Sequence, residues 1–335
     1  MATFVFKKKE ETPSCQNKLR VQHVVSVSGG KDSTATLLLA LRRVPRERLR
    51  AIFCDTGNEI DVTYRYLDDL EAHLGIRIDR LKADFTREIA VKRRFIARDQ
   101  RTGRDKKTGR KLRWTNKAKR RALAVLHPTG NPYLDLCLWK GRFPSRMAQF
   151  CTEELKRNIA VAYQLELVDR GFSVVSWQGI RRDESLKRRT AKRMERIGPR
   201  MYAFRPLVDW TAQQTVDFVR AQGCPLNPLY TQGQSRVGCV CINSNKEDLS
   251  SIAIRHPQEI ERIAEWEHLV SQASKRGFTT FFHIHGKKQQ DLRRIFAEGS
   301  IRSKVAMVTN DDGTMDLFDD ELDAPACASS YGLCE

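Results

Sequence analysis

Ser28, Gly29, Gly30, Lys31, Asp32 and Ser33 stand consecutively between an apolar stretch and a leucine-rich one. Two glycines let a chain turn tightly and bring bare amides against phosphate oxygens, and a helix that starts there adds orphan N–H donors. Lys31 can neutralise a phosphate, and Ser28 and Ser33 offer hydroxyls on either side. Asp32 suits either a hold on Mg²⁺ or a structural hydrogen bond. The turn is too short for a Walker A loop and lacks the Gly-x-Gly-x-x-Gly dinucleotide pattern. A second polar set, Asp55-Thr-Gly-Asn-Glu59, ends another apolar run. Asp55 and Glu59 could meet a ribose, an adenine amine or Mg²⁺, or Asp55 could simply cap a helix. A third set, Gly179-Ile-Arg181-Arg182-Asp-Glu-Ser185, carries two guanidiniums, whose forked donors suit phosphate or sulfate.

Nine cysteines are many for a chain of 335 residues with no secretory leader pattern. Disulfides are disfavoured in a reducing compartment, so a metal or cluster is the better reading. Cys239 and Cys241, one residue apart, can share a metal or take two corners of an iron–sulfur cluster. Cys327 and Cys334 form a second pair, and Cys151 sits at an expected helix start, where the local field favours a thiolate. Zinc in an all-cysteine site is the alternative to iron. Cys54, inside Ala51-Ile-Phe-Cys54, reads as a core residue.

These residues need elements to hold them. Val24–Val27 reads as a buried strand that empties into the glycine turn, and a helix follows from Ser33 to Arg43. Ala51–Asp55 reads as a second strand, Val62–Leu74 as a helix and Ile76–Leu81 as a weaker strand. Helical spacing recurs over 86–98, 117–126 and 152–167. Val174–Ile180 reads as another core strand, 211–221 as a capped helix, and 257–273 as a long helix. Phe278-Thr-Thr-Phe-Phe282 has the composition of a strand. This order predicts an α/β fold, a mostly parallel, doubly wound sheet of five or six strands. The expected organisation is an N-terminal extension, 1–20, a nucleotide-binding domain, 21–235, with a basic insertion at 91–121, and a C-terminal region, 236–335. Within the insertion, 99–113 is nearly free of apolar residues and reads as a flexible lid.

The hexapeptide Ser28–Ser33 resembles the signature of the PP-loop ATP pyrophosphatase superfamily, the adenine nucleotide alpha-hydrolase fold. More of the chain resembles its phosphoadenosine phosphosulfate (PAPS) reductase-like branch: Asp55–Glu59, Phe150-Cys-Thr-Glu-Glu-Leu-Lys156, Gly179–Ser185, and Asn227-Pro-Leu-Tyr230 leading to Arg236–Cys241. The intact loop brings it nearer the ATP-using members, such as the DNA phosphorothioation ATPase. The resemblance implies ATP cleavage between the α and β phosphates with Mg²⁺, leaving AMP on an oxygen. Catalytic roles fall on Lys31, Asp32, Cys151 and Arg181. The nucleotide falls on Ser28 to Ser33, Asp55, Glu59, Gly179 and Arg181. Some members hold a [4Fe-4S] cluster on two adjacent cysteines and a later Cys-x-x-Cys. Here Phe150 stands at the first position and the later pair is Cys-x-Cys. The expected ligands are therefore Cys151, Cys239, Cys241, Cys327 and Cys334, with Cys137 and Cys224 in reserve.

Charge points to the acceptor. The chain is +19, and Val91–Arg121 alone holds fifteen Lys/Arg against two Asp, a net +13. Arg181–Arg200 adds +6, whereas 311–323 has seven acids and no Lys or Arg. Such separation favours an anionic polymer, DNA or tRNA, with Trp114 placed to stack on an exposed base. The function expected is adenylation of a nucleic acid for sulfur incorporation, with a cysteine desulfurase or other sulfur-donor protein as partner and a homodimer left open. The rival is a small-molecule enzyme, a sulfonucleotide reductase using Cys334 or a sulfate adenylyltransferase; a non-catalytic nucleic-acid scaffold is the third reading. No stretch is long and apolar enough to span a bilayer, so a cytoplasmic location is expected.

Overall fold

The computed structural model describes residues 20–106, 109, 111–283, 294 and 298–309. Six strands form one sheet: β1 (Val21–Ser26), β2 (Leu49–Asp55), β3 (Ile78–Lys82), β4 (Ser173–Trp177), β5 (Met194–Gly198) and β6 (Met201–Phe204). Their order is β3-β2-β1-β4-β6-β5. Every neighbouring pair is parallel except β5 with β6. Alternation along the strands sends side chains to two faces. Val25, Ala51 and Phe53 pack under α1 (Lys31–Arg43) and α2 (Asp61–Leu74). Val24, Ile52 and Cys54 face the opposite side, where Ala160 and Leu167 close the core.

The remaining helices are α3 (Thr86–Arg98), α4 (Asn116–Val125), α5 (Pro132–Lys140), α6 (Asn158–Asp169), α7 (Ala212–Ala221), α8 (Pro228–Thr231), α9 (Lys246–Arg255), α10 (Pro257–Ala273) and α11 (Ile301–Thr309). A π-helical turn, Thr152–Arg157, leads into α6. One apolar cluster joins α3, α4 and α5 to Val237–Ile242, α9, α10 and Ile301.

Three local expectations are corrected. Phe278–Phe282 is irregular rather than a strand: Phe281 is fully buried and its N–H goes to the Glu267 carboxylate instead of a neighbouring strand. The segment 99–113 is tied down over its described residues. Asp99 accepts from the Arg101 guanidinium at 2.7 Å and from the Trp114 N–H at 2.7 Å, and Lys275 donates to the Lys111 and Leu112 carbonyls. Trp114 is itself buried in the large apolar cluster, at 7% exposure, so it presents no face to a base. Among the described residues, no helix is long and apolar enough to cross a membrane.

Candidate active site

The sheet order puts β1 between β2 and β4, whose connections leave in opposite directions. At such a switch point the loops after adjacent strands open a crevice at their carboxyl ends. The loop after β1 is Ser28–Gly30, and the loop after β4 begins at Gln178. They pack so closely that a Cβ on Gly179 would stand 2.9 Å from the Asp32 carbonyl carbon and oxygen and 3.1 Å from Ser33 N. Only glycine fits there. Gly29 holds φ +84°, the left-handed region, with Thr63 beside it.

Hydroxyls brace the loop from within and without. Ser28 N–H donates to Ser33 Oγ at 3.1 Å, Ser33 Oγ donates to the Gly30 carbonyl at 2.9 Å, and Lys31 N–H donates to Tyr230 Oη at 3.1 Å. Asn227 Nδ2 donates to the Gly29 carbonyl at 3.1 Å while its Oδ1 caps α8. Asn227 and Tyr230 are therefore site residues that sequence reading used only as part of a motif. The signal was Asn-Pro at a helix start, which places Tyr230 one turn on.

Asp32 is wholly buried. Lys31 Nζ lies 3.3 Å from its Oδ2 and Arg181 Nε 2.8 Å from its Oδ1. Arg181, also buried, donates to Asp183 as well, and its backbone N–H meets Glu184 at 3.1 Å. Asp32 thus reads as a structural carboxylate that orients two cations. Arg182 lies outward, on Asp209 and the Ala191 carbonyl.

At the end of β2, Asp55 accepts from Gly57 N–H at 2.9 Å and Tyr64 Oη at 2.7 Å and pairs with Lys82 at 3.0 Å. Glu59 accepts from the hydroxyl and N–H of Thr56. Burial pushes its carboxyl above the usual range, with Lys156 working against that. Both acids are committed to the turn. The same turn anchors the cysteine loop: Ile60 N–H donates to the Gly238 carbonyl at 2.7 Å, Asn58 Nδ2 to the Val240 carbonyl at 2.8 Å, and Glu59 bridges Cys239.

A cavity runs from Val27 and Ser28 past Thr56 and Glu59 to Cys151, Lys156, Cys239 and Cys241. The structure therefore brings Cys151, Cys239 and Cys241 to one space beside the loop. Cys327 and Cys334 lie outside the described residues. Cys54 and Cys224 are buried in the sheet cores and Cys137 in the helical one. Among the described residues, no three His, Cys, Asp or Glu side chains are set to hold a single metal ion.

Residues 22–245 match the phosphoadenosine phosphosulfate reductase domain. The chain belongs to that family. It is 41% identical over 327 residues to an uncharacterised 37.8 kDa protein of Escherichia phage 186, covering 93% of this chain and 96% of that one. It is 26% identical over 263 residues to an uncharacterised protein of Methanocaldococcus jannaschii, covering 77% of this chain and 43% of the other. Among solved structures it is similar to the PAPS reductase of Candida auris in its phosphate complex, at 15% identity and a TM-score of 0.39, covering 65% of this chain and 81% of that one. This PAPS-reductase-family chain thus shares the α/β architecture and PP-loop of a catalytic fold.

Proposed function

We propose that this protein binds ATP on the Ser28–Ser33 loop, splits it between the α and β phosphates, and transfers AMP to a small acceptor in the adjoining cavity. The observation that carries this is the intact loop, with Lys31 held beside Asp32 and Asp32 locked by Arg181. An acceptor oxygen attacks the α phosphorus, the bond to the bridging oxygen breaks, and pyrophosphate leaves with its charge met by Lys31 and the loop amides. Phosphate oxygens would compete with Ser33 Oγ and Tyr230 Oη for those amides. Mg²⁺ would come with ATP and offset the phosphate charge; Asp32 is paired here with Arg181, and Asp55 with Lys82 and the Tyr64 hydroxyl.

The small acceptor is supported by Lys156, a cation in the cavity that Ser28 also lines, which suits an oxyanion such as sulfate. The nucleic-acid acceptor draws less support than the charge alone suggested. Within 91–121, Lys92, Arg93, Arg101, Arg104, Lys119 and Arg121 all donate to carbonyls of this same chain. In the second basic stretch, Arg181, Arg182, Arg188 and Arg193 are each paired with an acid.

The test is to supply the full chain with MgATP and sulfate, and separately with tRNA or DNA. Pyrophosphate and adenylylsulfate, both lost in Lys31→Ala, are the expected products. ADP and phosphate would overturn the α–β assignment. Pyrophosphate release only with nucleic acid would return the acceptor to a polymer. Sulfite and AMP formed without ATP from added adenylylsulfate and a dithiol reductant, which is oxidised to its disulfide, would make the protein a reductase.

A further inference from the structure

Of the five cations on α3, two turn inward: Lys92 donates to a carbonyl of α5 and Arg93 to one of α4. The other three, Arg87, Arg94 and Arg98, are exposed and have no acid, carbonyl or ring partner among the described residues. Arg87, Val91, Arg94, Phe95 and Arg98 recur at steps of three and four, so they share one face of the helix, opposite the fully buried Ile89 and Ile96. Val91 is 49% exposed and Phe95 47%, two large apolar side chains one turn apart and ringed by arginines. The Arg101 guanidinium, 4.7 Å from the centre of the Phe95 ring, extends the rim. Lys117 and Arg120 on α4, which packs against α3, are exposed and unpaired among the described residues as well. An apolar patch inside a charged rim is the pattern of a contact surface.

We propose that this face of α3 binds the acidic segment 311–323 of the same chain. The segment lies outside the described residues, and its sequence is the complement of the face: seven acids with no Lys or Arg, and Met315, Leu317, Phe318 and Leu322 set among them. Its acids meet Arg87, Arg94 and Arg98, and its apolar side chains cover Val91 and Phe95. A purely acidic run would leave Val91 and Phe95 in water, and a purely apolar one would leave the arginines without counter-charge. Chain length permits the contact. The last described helix, α11, ends at Thr309 and packs on α10; α10 packs on α4, and α4 on α3. Three interhelical spacings are roughly 30 Å. The fourteen residues from Thr309 to Asp323 reach about 45 Å when extended. Exposed ion pairs are each weak and are screened by salt. The segment is therefore a salt-sensitive cover over a positive face that any other polyanion would otherwise meet.

The test uses the full chain and no nucleotide, so its outcome is separate from that of the adenylation reading. Phe95 is replaced by photoreactive p-benzoylphenylalanine, the protein is irradiated at low salt, and cross-linked peptides are mapped by mass spectrometry. The expected product is a cross-link within one chain between position 95 and residues 311–323. Its yield should fall several-fold at about 1 M salt, where the screening length is about 3 Å. Arg94→Glu/Arg98→Glu should lower it similarly, and adding Asp319→Arg/Asp320→Arg to that variant should restore it. A low-salt cross-link that maps elsewhere, or none at all, would overturn the proposal. So would a yield indifferent to salt and to both charge reversals. A cross-link to 311–323 found only in covalent dimers would give the face to a second copy and overturn the contact within one chain.

Discussion

At the scale of single residues, Asp32 and Lys31 stand side by side in the loop but differ in what their removal costs. The Asp32 side chain is 0% exposed and that of Arg181 6%. Asp32→Ala takes from a buried guanidinium its wholly buried partner and leaves it the half-exposed Asp183, which costs on the order of 3 kcal/mol. Lys31→Ala leaves Asp32 its Arg181 partner and so should cost less. Denaturant unfolding should therefore show a larger loss for Asp32→Ala than for Lys31→Ala, while both abolish pyrophosphate release. Equal stability losses would contradict this account of Asp32. Gly179→Ala is the steric counterpart. The new methyl would meet backbone atoms of Asp32 and Ser33, which cannot swing aside. It should destabilise by about 1–3 kcal/mol and weaken ATP binding in calorimetry. Unaltered binding and stability would mean the two loops separate readily.

At the scale of elements, four cations of the basic insertion serve as helix C-terminal caps. Lys92 donates to the Leu138 carbonyl near the end of α5, Arg93 to Leu123 and Leu126 at the end of α4, Lys119 to Ala97 and Asp99 at the end of α3, and Arg121 to Gln272 and Ser274 at the end of α10. Cations there satisfy orphan carbonyls and oppose the helix dipole. Arg121→Ala should thus lower unfolding stability by about 2 kcal/mol, a charged hydrogen-bond contribution, and leave DNA affinity at low salt unchanged. Lost DNA affinity with intact stability would restore the polymer reading. Sequence alone could count these charges but not aim them, since the carbonyls they meet lie up to about 150 residues away. The same blindness hid α5: Pro132 to Leu138 are all buried, so no polar face marks a period. It hid β5 and β6 as well, a short charged edge pair whose alternation the arginines mask. What was legible was local. The run from strand to glycine turn to helix placed Ser28–Ser33 correctly, and the strands after it put Asp55 and Gly179 at the same sheet edge. Trp114 misled because its neighbours in sequence are cations, while its side chain is buried in the large apolar cluster.

At the scale of the whole molecule, the helical layer that carries Tyr133 and Cys137 is joined to later chain segments by a buried acid. Glu267 on α10 accepts from Phe281 N–H at 2.6 Å and from Ile301 N–H at 3.1 Å, so it joins the long helix to two later segments of chain. Burial raises its carboxyl to about 7, although both N–H bonds and Arg302 pull the other way. An acid whose folded pKa exceeds its free value of 4.5 binds its proton more tightly in the folded state. Its contribution to stability is full below that free value, falls as pH rises between the two, and is gone above the folded one. The loss is on the order of 3 kcal/mol. Glu267→Gln keeps an oxygen for both N–H groups and carries no charge at any pH. The variant should match the parent near pH 4.5 and exceed it at pH 8 by roughly that amount, as read by paired denaturant titrations. Subtracting the two proteins removes the titration of every other group they share. Parallel stability curves across this range would show that the buried carboxylate is already fully compensated by its N–H donors and Arg302.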